Sequence, residues 1–200
     1  MENNIELELR AEVSLNQFEK LLADLNKKNN LLSHTKRLSV MFLYPVGKSK
    51  FDIRVRIDSN GKSELVVKKG DYHAHDRMEI SQEISKNQFM GTVKIFSMLN
   101  LQSKVTEREN FLFNMGNDIT MVLVKAGSIA YVEIEKMSHE KNIDANKADL
   151  LSIIDGFKLK LINNGEEFNE LCDRLTKFSD WVFNGSAESI NKLEGMLKSY

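Results

Sequence analysis

Charge and apolarity alternate with a period of two in one short run of this chain after another, and no other feature restricts its fold as strongly. IELELRAEV (5–13) sets Ile5, Leu7, Leu9, Ala11 and Val13 against Glu6, Glu8, Arg10 and Glu12. Successive side chains of a strand point to opposite sides, so the spacing predicts a β-strand with one apolar and one charged face. FDIRVRID (51–58) repeats the pattern, with Ile53, Val55 and Ile57 opposed to Arg54 and Arg56. SELVVKK (63–69), RMEISQEI (77–84), SKVTERENFLF (103–113), DITMVLVKA (118–126) and SIAYVEIEKM (128–137) read as further strands. The apolar run RLSVMFLYP (37–45), ended by Pro45 and Gly47, is another.

Tight turns join most of these runs. Asn60-Gly61 suits a hairpin that needs positive φ, and Gly116 with Asn117, then Gly127, punctuate the later strands. Two connections are helical instead. SLNQFEKLLADLNKKNN (14–30) has Ser14 as N-cap and Phe18, Leu21, Leu22 and Leu25 on one face. SKNQFMGTVKIFSMLNL (85–101) carries the stripe Phe89, Val93 and Phe96. Beyond residue 137 the spacing turns helical, over roughly 144–155, 165–182 and 186–199, with FKLKLI (157–162) of undecided type between the first two. The order of elements predicts an antiparallel α+β domain, sandwich or barrel, over residues 1–137. Residues 138–200 form a helical C-terminal extension packed on or beside it.

Bulk composition narrows the function classes. Lysine and arginine number 28 against 29 acids, a net charge of -1, so no chain-wide basic bias points to nucleic acid. Cys172 is the single cysteine; it has no partner for an internal disulfide, and nothing beside it marks a nucleophile. No apolar run approaches the roughly 18 residues of a membrane helix, and no signal-peptide pattern is seen. The expected location is cytoplasmic, with no membrane partner.

The charged faces have two readings. Any one of them suits water. Yet the charges share a parity within each strand: Glu6, Glu8 and Arg10; Arg54 and Arg56; Arg77 and Glu79; Lys104 and Arg108; Glu133 and Glu135. Lys68 lies opposite Leu65 and Val67. Solvated faces usually mix charge with Ser, Thr, Asn and Gln. If these faces converge inside a closed barrel, they need counter-ions, because an unpaired buried charge costs several kcal/mol. A polyphosphate with divalent cations supplies both signs: carboxylates take Mg²⁺ or Mn²⁺, and guanidinium groups take phosphate oxygens.

In that order the motifs resemble the CYTH superfamily, the triphosphate tunnel metalloenzymes. Its pattern reads here as Glu6-Leu7-Glu8-Leu9-Arg10, Arg54-Val55-Arg56, Lys68 within LVVK, Arg77-Met78-Glu79, Lys104 to Arg108, and Glu133-Ile134-Glu135. The resemblance covers roughly residues 4 to 137. It implies an antiparallel eight-stranded β-barrel, a tunnel, whose lumen binds a triphosphate. It further implies phosphate contacts from Arg10, Arg54, Arg56, Lys68, Arg77 and Arg108, with Lys104 a weaker candidate. Glu6, Glu8, Glu133 and Glu135 would serve Mg²⁺ or Mn²⁺, with Glu79 in either set, and Glu6, Glu8 and Arg10 would form the catalytic group. The implied activity is hydrolysis of inorganic, thiamine or nucleoside triphosphate, or of an RNA 5′-triphosphate, the one nucleic-acid partner the resemblance admits. The alternatives are a CYTH-type adenylyl cyclase and a non-catalytic binder of polyphosphate or phosphorylated ligands. These motifs read the triphosphate and not what hangs from it, and they do not encode an oligomeric state.

The chain departs from the family pattern at several points. Position 10 is arginine where many members have lysine, which keeps the charge but removes a group tunable toward proton transfer. MVLVKAGSIAYVEIE lacks the acid that often precedes the closing strand, so one metal ligand is expected to be missing. Thr106 and Glu107 stand where a basic residue is usual. His73-Ala74-His75 reads as an exposed loop rather than a metal site, and Glu107 and Glu109 as solvent-facing. The tail's Phe157, Leu161, Phe168, Leu171, Leu175, Phe178, Trp181 and Val182 are expected to pack in a core. No P-loop, dinucleotide fingerprint or serine-hydrolase elbow occurs.

Overall fold

In the computed structural model, described over residues 5–28, 30–46, 49–70 and 76–200, the alternating runs become a nine-stranded antiparallel sheet. Strand β1 is Ile5–Val13, β2 Leu31–Val46, β3 Ser49–Asp58, β4 Ser63–Lys69 and β5 Asp76–Ile84. Then come β6 Gln102–Gly116, β7 Ile119–Ala126, β8 Ile129–Ser138 and the short β9 Trp181–Val182. The strand order is β2-β3-β4-β5-β1-β8-β7-β6-β9, and β2 also pairs with β6. The eight long strands therefore return on themselves as a barrel, which removes most of the open edge a flat sheet would carry. The seam between β1 and β5 is thin, formed by Glu6 opposite Arg77 and Leu7 opposite Asp76.

Helix α1 (Leu15–Lys27) starts where Ser14 predicts, closed by a capping box with Gln17: Ser14 Oγ accepts from the Gln17 N–H at 3.2 Å, and Gln17 Oε1 accepts from the Ser14 N–H at 2.9 Å. Helix α2 (Phe89–Ser97) follows a 3-10 turn at Lys86–Gln88. The β3–β4 hairpin turns at Gly61, whose φ of +83° is left-handed, and β6 turns into β7 through Gly116, Asn117 and Asp118, all at positive φ.

Parity then decides what is inside and outside. Leu7, Leu9, Ala11 and Val13 point out of the barrel and pack with Phe18 and Leu25 of α1 and with Leu150 and Ile154 of α3 (Ile143–Gly156). Burying a side chain such as Phe18 this completely stabilises the fold by about 2 kcal/mol. A second outer cluster joins Leu38, Val40, Phe42, Val55 and Ile57 to Phe89 and Val93 of α2 and to Leu193 of α5 (Ala187–Leu197). Helix α4 (Gly165–Phe178) is different. Its Phe168, Leu171 and Leu175 pack with Val122, Val124 and Tyr131, which lie on the inner parity of β7 and β8. One apolar helix face thus rests against the inside of the barrel wall.

The extension differs in detail from the helical reading of 165–182. The N–H groups of Ser179 and Asp180 both donate to the Leu175 carbonyl, ending the helix, and Trp181 and Val182 then pair with Val105 and Lys104 of β6. FKLKLI contributes Leu161, which bridges to Ala11, and Ile162, whose N–H donates to the Arg10 carbonyl. Among the described residues no helix is long and apolar enough to cross a membrane.

Candidate triphosphate site

The inner parity of the barrel strands carries the charge. A cavity of about 580 Å³ is lined by Glu6, Glu8 and Arg10 of β1, Arg54 and Arg56 of β3, Lys68 of β4 and Glu79 of β5, as well as Lys104 and Arg108 of β6 and Glu133 and Glu135 of β8. Leu171 and Leu175 of α4 complete one side. Register explains the convergence. Glu8 faces Glu135 and Arg10 faces Glu133 across the β1–β8 ladder, and Lys68 faces Glu79 across β4–β5. The side chain of Arg77 and the His73-Ala74-His75 segment lie outside the described residues.

The acids divide into two groups. Glu8, Glu133 and Glu135 bring carboxylate oxygens within 4.8 Å of one another. Burial pushes the Glu8 carboxyl up to about 7, with nearby Glu133 adding to the rise that Arg10 opposes. Burial and the charges of Glu8 and Glu133 push Glu135 well above the usual carboxylate range. Burial acts on Glu133 too, but Arg10 and a hydrogen bond from Glu8 outweigh it and hold Glu133 low. Three crowded carboxylates, two of which burial and mutual repulsion push toward the neutral form, are a donor set suited to a hard divalent cation, which would relieve that repulsion. Glu6 and Glu79 are turned elsewhere: Lys68 Nζ donates to Glu6 at 2.8 Å and sits 2.6 Å from Glu79.

The bases are mostly paired. Arg10 lies between Glu8 and Glu133, its Nε 3.2 Å from Glu133, and both carboxylates strengthen its positive charge against burial. Its guanidinium also stacks 4.9 Å from the Phe168 ring of α4. Arg54 Nε meets Asp52 at 2.9 Å, and Arg56 Nε meets Glu64 at 2.8 Å. Lys104 and Arg108 share Asp180, at 2.8 and 2.7 Å. Among the described residues Arg37 alone of the cavity's lysines and arginines has no carboxylate within ion-pair distance. Burial and the charge of Arg56 lower its pKa, with Glu133 and Glu135 opposing.

Arg37, Tyr131, Asp52, Glu64 and Asp180 escaped the sequence reading. The first two were legible. Arg37 has the parity opposite Leu38, Val40 and Phe42, and Tyr131 shares that of Glu133, where burial and Glu133 push its hydroxyl up to about 12. The missing acid acquires a physical reason. β7 sets Val122 opposite Glu133 and Thr120 opposite Glu135, so it sends no carboxylate to the cluster. Val122 serves instead as part of the apolar seat for Phe168 and Leu171. Thr106 lines the cavity and Glu107 is exposed. Glu109 is partly buried, 2.8 Å from His34 Nε2.

The family model for the CYTH domain matches residues 4–162, most of the chain. This protein belongs to the CYTH domain family. Solved structures share this architecture. A conserved hypothetical protein of Pyrococcus furiosus superposes with a TM-score of 0.64 at 21% identity, covering 78% of this chain and 91% of its own. HpAC1 of Hippeastrum, whose description names a dominant triphosphatase activity, gives 0.52 at 15% identity over 81% and 91%. The Mimivirus capping enzyme triphosphatase gives 0.52 at 10% identity over 78% and 90%. At these identities the likeness is one of fold. No curated protein matches the sequence.

Proposed function

We propose that this CYTH domain hydrolyses a triphosphate held in the barrel cavity, in a reaction dependent on Mg²⁺ or Mn²⁺. The observation that carries the reading is the division of one cavity into an acidic wall, Glu8, Glu133 and Glu135 on β1 and β8, and a basic wall on β2 to β4. Arg37, Arg54, Arg56 and Lys68 would take the phosphate oxygens, and the unneutralised Arg37 is the readiest of them. Arg77 is proposed for the same role from its register opposite Glu6. Glu8, Glu133 and Glu135 would hold the cation, and Glu6 and Glu79 would keep Lys68 aimed into the cavity. A bound divalent cation supplies charge neutralisation at the phosphoryl oxygens. Arg10, kept charged by its two carboxylates, orients Glu8 and Glu133 and does not exchange protons. Water attacks the terminal phosphorus and gives up its proton to solvent, the bond to the bridging oxygen breaks, and the arginines take up the charge left on the departing group. In this scheme the barrel of residues 1–137 supplies the ionic walls, and the extension 138–200 closes the cavity.

Val122 in place of an acid favours one further reading, a binder of phosphorylated ligands without turnover. Phosphate release from tripolyphosphate, thiamine triphosphate and ATP, with and without Mg²⁺ or Mn²⁺, separates them. Hydrolysis predicts metal-dependent release that falls at least about 100-fold in Glu8→Gln or Glu133→Gln. Binding of tripolyphosphate with no release under any metal refutes hydrolysis and favours the binder. Cyclic AMP from ATP would refute both in favour of cyclisation.

A further inference from the structure

Asp180 is a carboxylate with no solvent-exposed side-chain surface, set by the extension rather than by a barrel strand against two bases that line the cavity, without lining it itself. Lys104 Nζ reaches it at 2.8 Å and Arg108 Nη1 at 2.7 Å, while Lys104 also donates to Thr176 Oγ1 at 3.1 Å. Both cations line the same cavity as Arg54 and Arg56. Across β2 the register sets Arg108 opposite Arg37 and Lys104 opposite Met41, whose other neighbour is Arg54. Without Asp180, Lys104 and Arg108 would extend the row of cavity-lining bases on β4, β3 and β2 as far as β6.

The carboxylate is fixed in place. The Asp180 N–H donates to Leu175 at 2.9 Å, and Trp181 and Val182 are laddered to β6. The Phe183 N–H donates to the Ser103 carbonyl at 3.0 Å, and Ser103 Oγ donates back to the Phe183 carbonyl at 2.7 Å. A carboxylate clipped on both sides of its backbone cannot swing away when an anion arrives. Freeing Lys104 and Arg108 would also leave it buried and unpaired, a state costing several kcal/mol.

We propose that Asp180 is a specificity-determining residue that acts through Lys104 and Arg108, neutralising these two lining bases from outside the cavity as an anionic group of a ligand would from within. It holds Lys104 and Arg108 out of phosphate binding and leaves the phosphate chain to the bases of β2 to β5, among them Arg37, which has no carboxylate partner among the described residues. The cavity then takes a short triphosphate and discriminates against longer linear polyphosphate, which needs the β6 cations for its additional charges. This inference rests on the triphosphate reading above.

Calorimetric titration of the full chain with tripolyphosphate and with a longer linear polyphosphate tests it, alongside thermal unfolding of each variant. Asp180→Asn keeps the side-chain shape and removes the charge. It should shift the preference toward the longer chain by at least roughly fivefold, and Lys104→Ala should cost roughly fivefold more affinity in that background than in the wild type. In the wild-type background Lys104→Ala should weaken tripolyphosphate binding far less than Arg56→Ala does, an arm that does not require Asp180→Asn to fold. An unchanged preference in folded Asp180→Asn, or equal losses for Lys104→Ala and Arg56→Ala, overturns the proposal. Loss of binding in Arg56→Ala with an unchanged preference in Asp180→Asn removes this inference alone. No binding in any variant removes the triphosphate reading with it.

Discussion

Removing the charge of Glu8 should make the metal-free protein less sensitive to pH, and the structure sets the size of the effect. In the folded chain this carboxyl rises from its ordinary 4.5 to about 7, chiefly through burial. Folded protein therefore binds more protons than unfolded protein between those values, so stability falls as pH rises through that window. The contribution is fully present below pH 4.5 and lost above about 7. A displacement of that size corresponds to about 3 kcal/mol for a fully buried group. Glu6 and Glu135 are displaced in the same direction and add to the slope. Glu64, Glu79 and Glu133 are displaced downward, so what they contribute is lost only in more acid solution. Thermal unfolding in a chelator from pH 5 to 7.5 should show the wild-type midpoint falling by about 6–10 °C. Glu8→Gln should flatten that fall by more than half, because removing the Glu8 charge also relieves Glu135. Mg²⁺ should restore the wild-type midpoint at pH 7.5, since a cation binds the ionised carboxylates. A midpoint that rises over this range, or a slope unaltered in Glu8→Gln, would refute the account of a self-repelling acid cluster.

Other expectations follow from packing and backbone. Phe168→Ala empties the contact between α4 and the inner wall and should cost about 3 kcal/mol in denaturant unfolding, with Arg10 losing its stacking partner. Val122→Asp should not rebuild a metal ligand. It buries a carboxylate under α4 beside Glu133, and a loss of at least about 3 kcal/mol is expected by the same measurement. Gly61→Ala should cost about 1 kcal/mol through its left-handed backbone alone, because a Cβ there meets nothing within 4 Å. Fluorescence-monitored unfolding of the variant checks this, and a much larger loss would contradict the open turn.

Most of the barrel was legible because the signals that build it are local. Alternation within a run states that a strand has two faces, and the shared parity of Glu6 with Glu8, Arg54 with Arg56 and Glu133 with Glu135 states which side chains travel together. The match of several such runs to one family pattern then made the inner face the charged one. Capping at Ser14 and the turn at Gly61 were equally local. Arg37 was missed although its parity was available, since the run around it reads as uniformly apolar until Leu38, Val40 and Phe42 are assigned to one side.

What the chain by itself determined, then, is most of the long strands and which side chains share a face within each, since a period of two needs no knowledge of neighbours. Only the tertiary structure decided how those charges are shared. Glu6 leaves the acid cluster for Lys68 because β4 and β5 bring that lysine to it, and Asp180 claims Lys104 and Arg108 because a segment far along the chain is clipped to β6. The apolar stripe of α4 announced a buried face, but a helical period does not say against what. Its seat on Val122 and Val124 inside the barrel, which took the place of an acid, depends on pairing between strands that are remote in sequence.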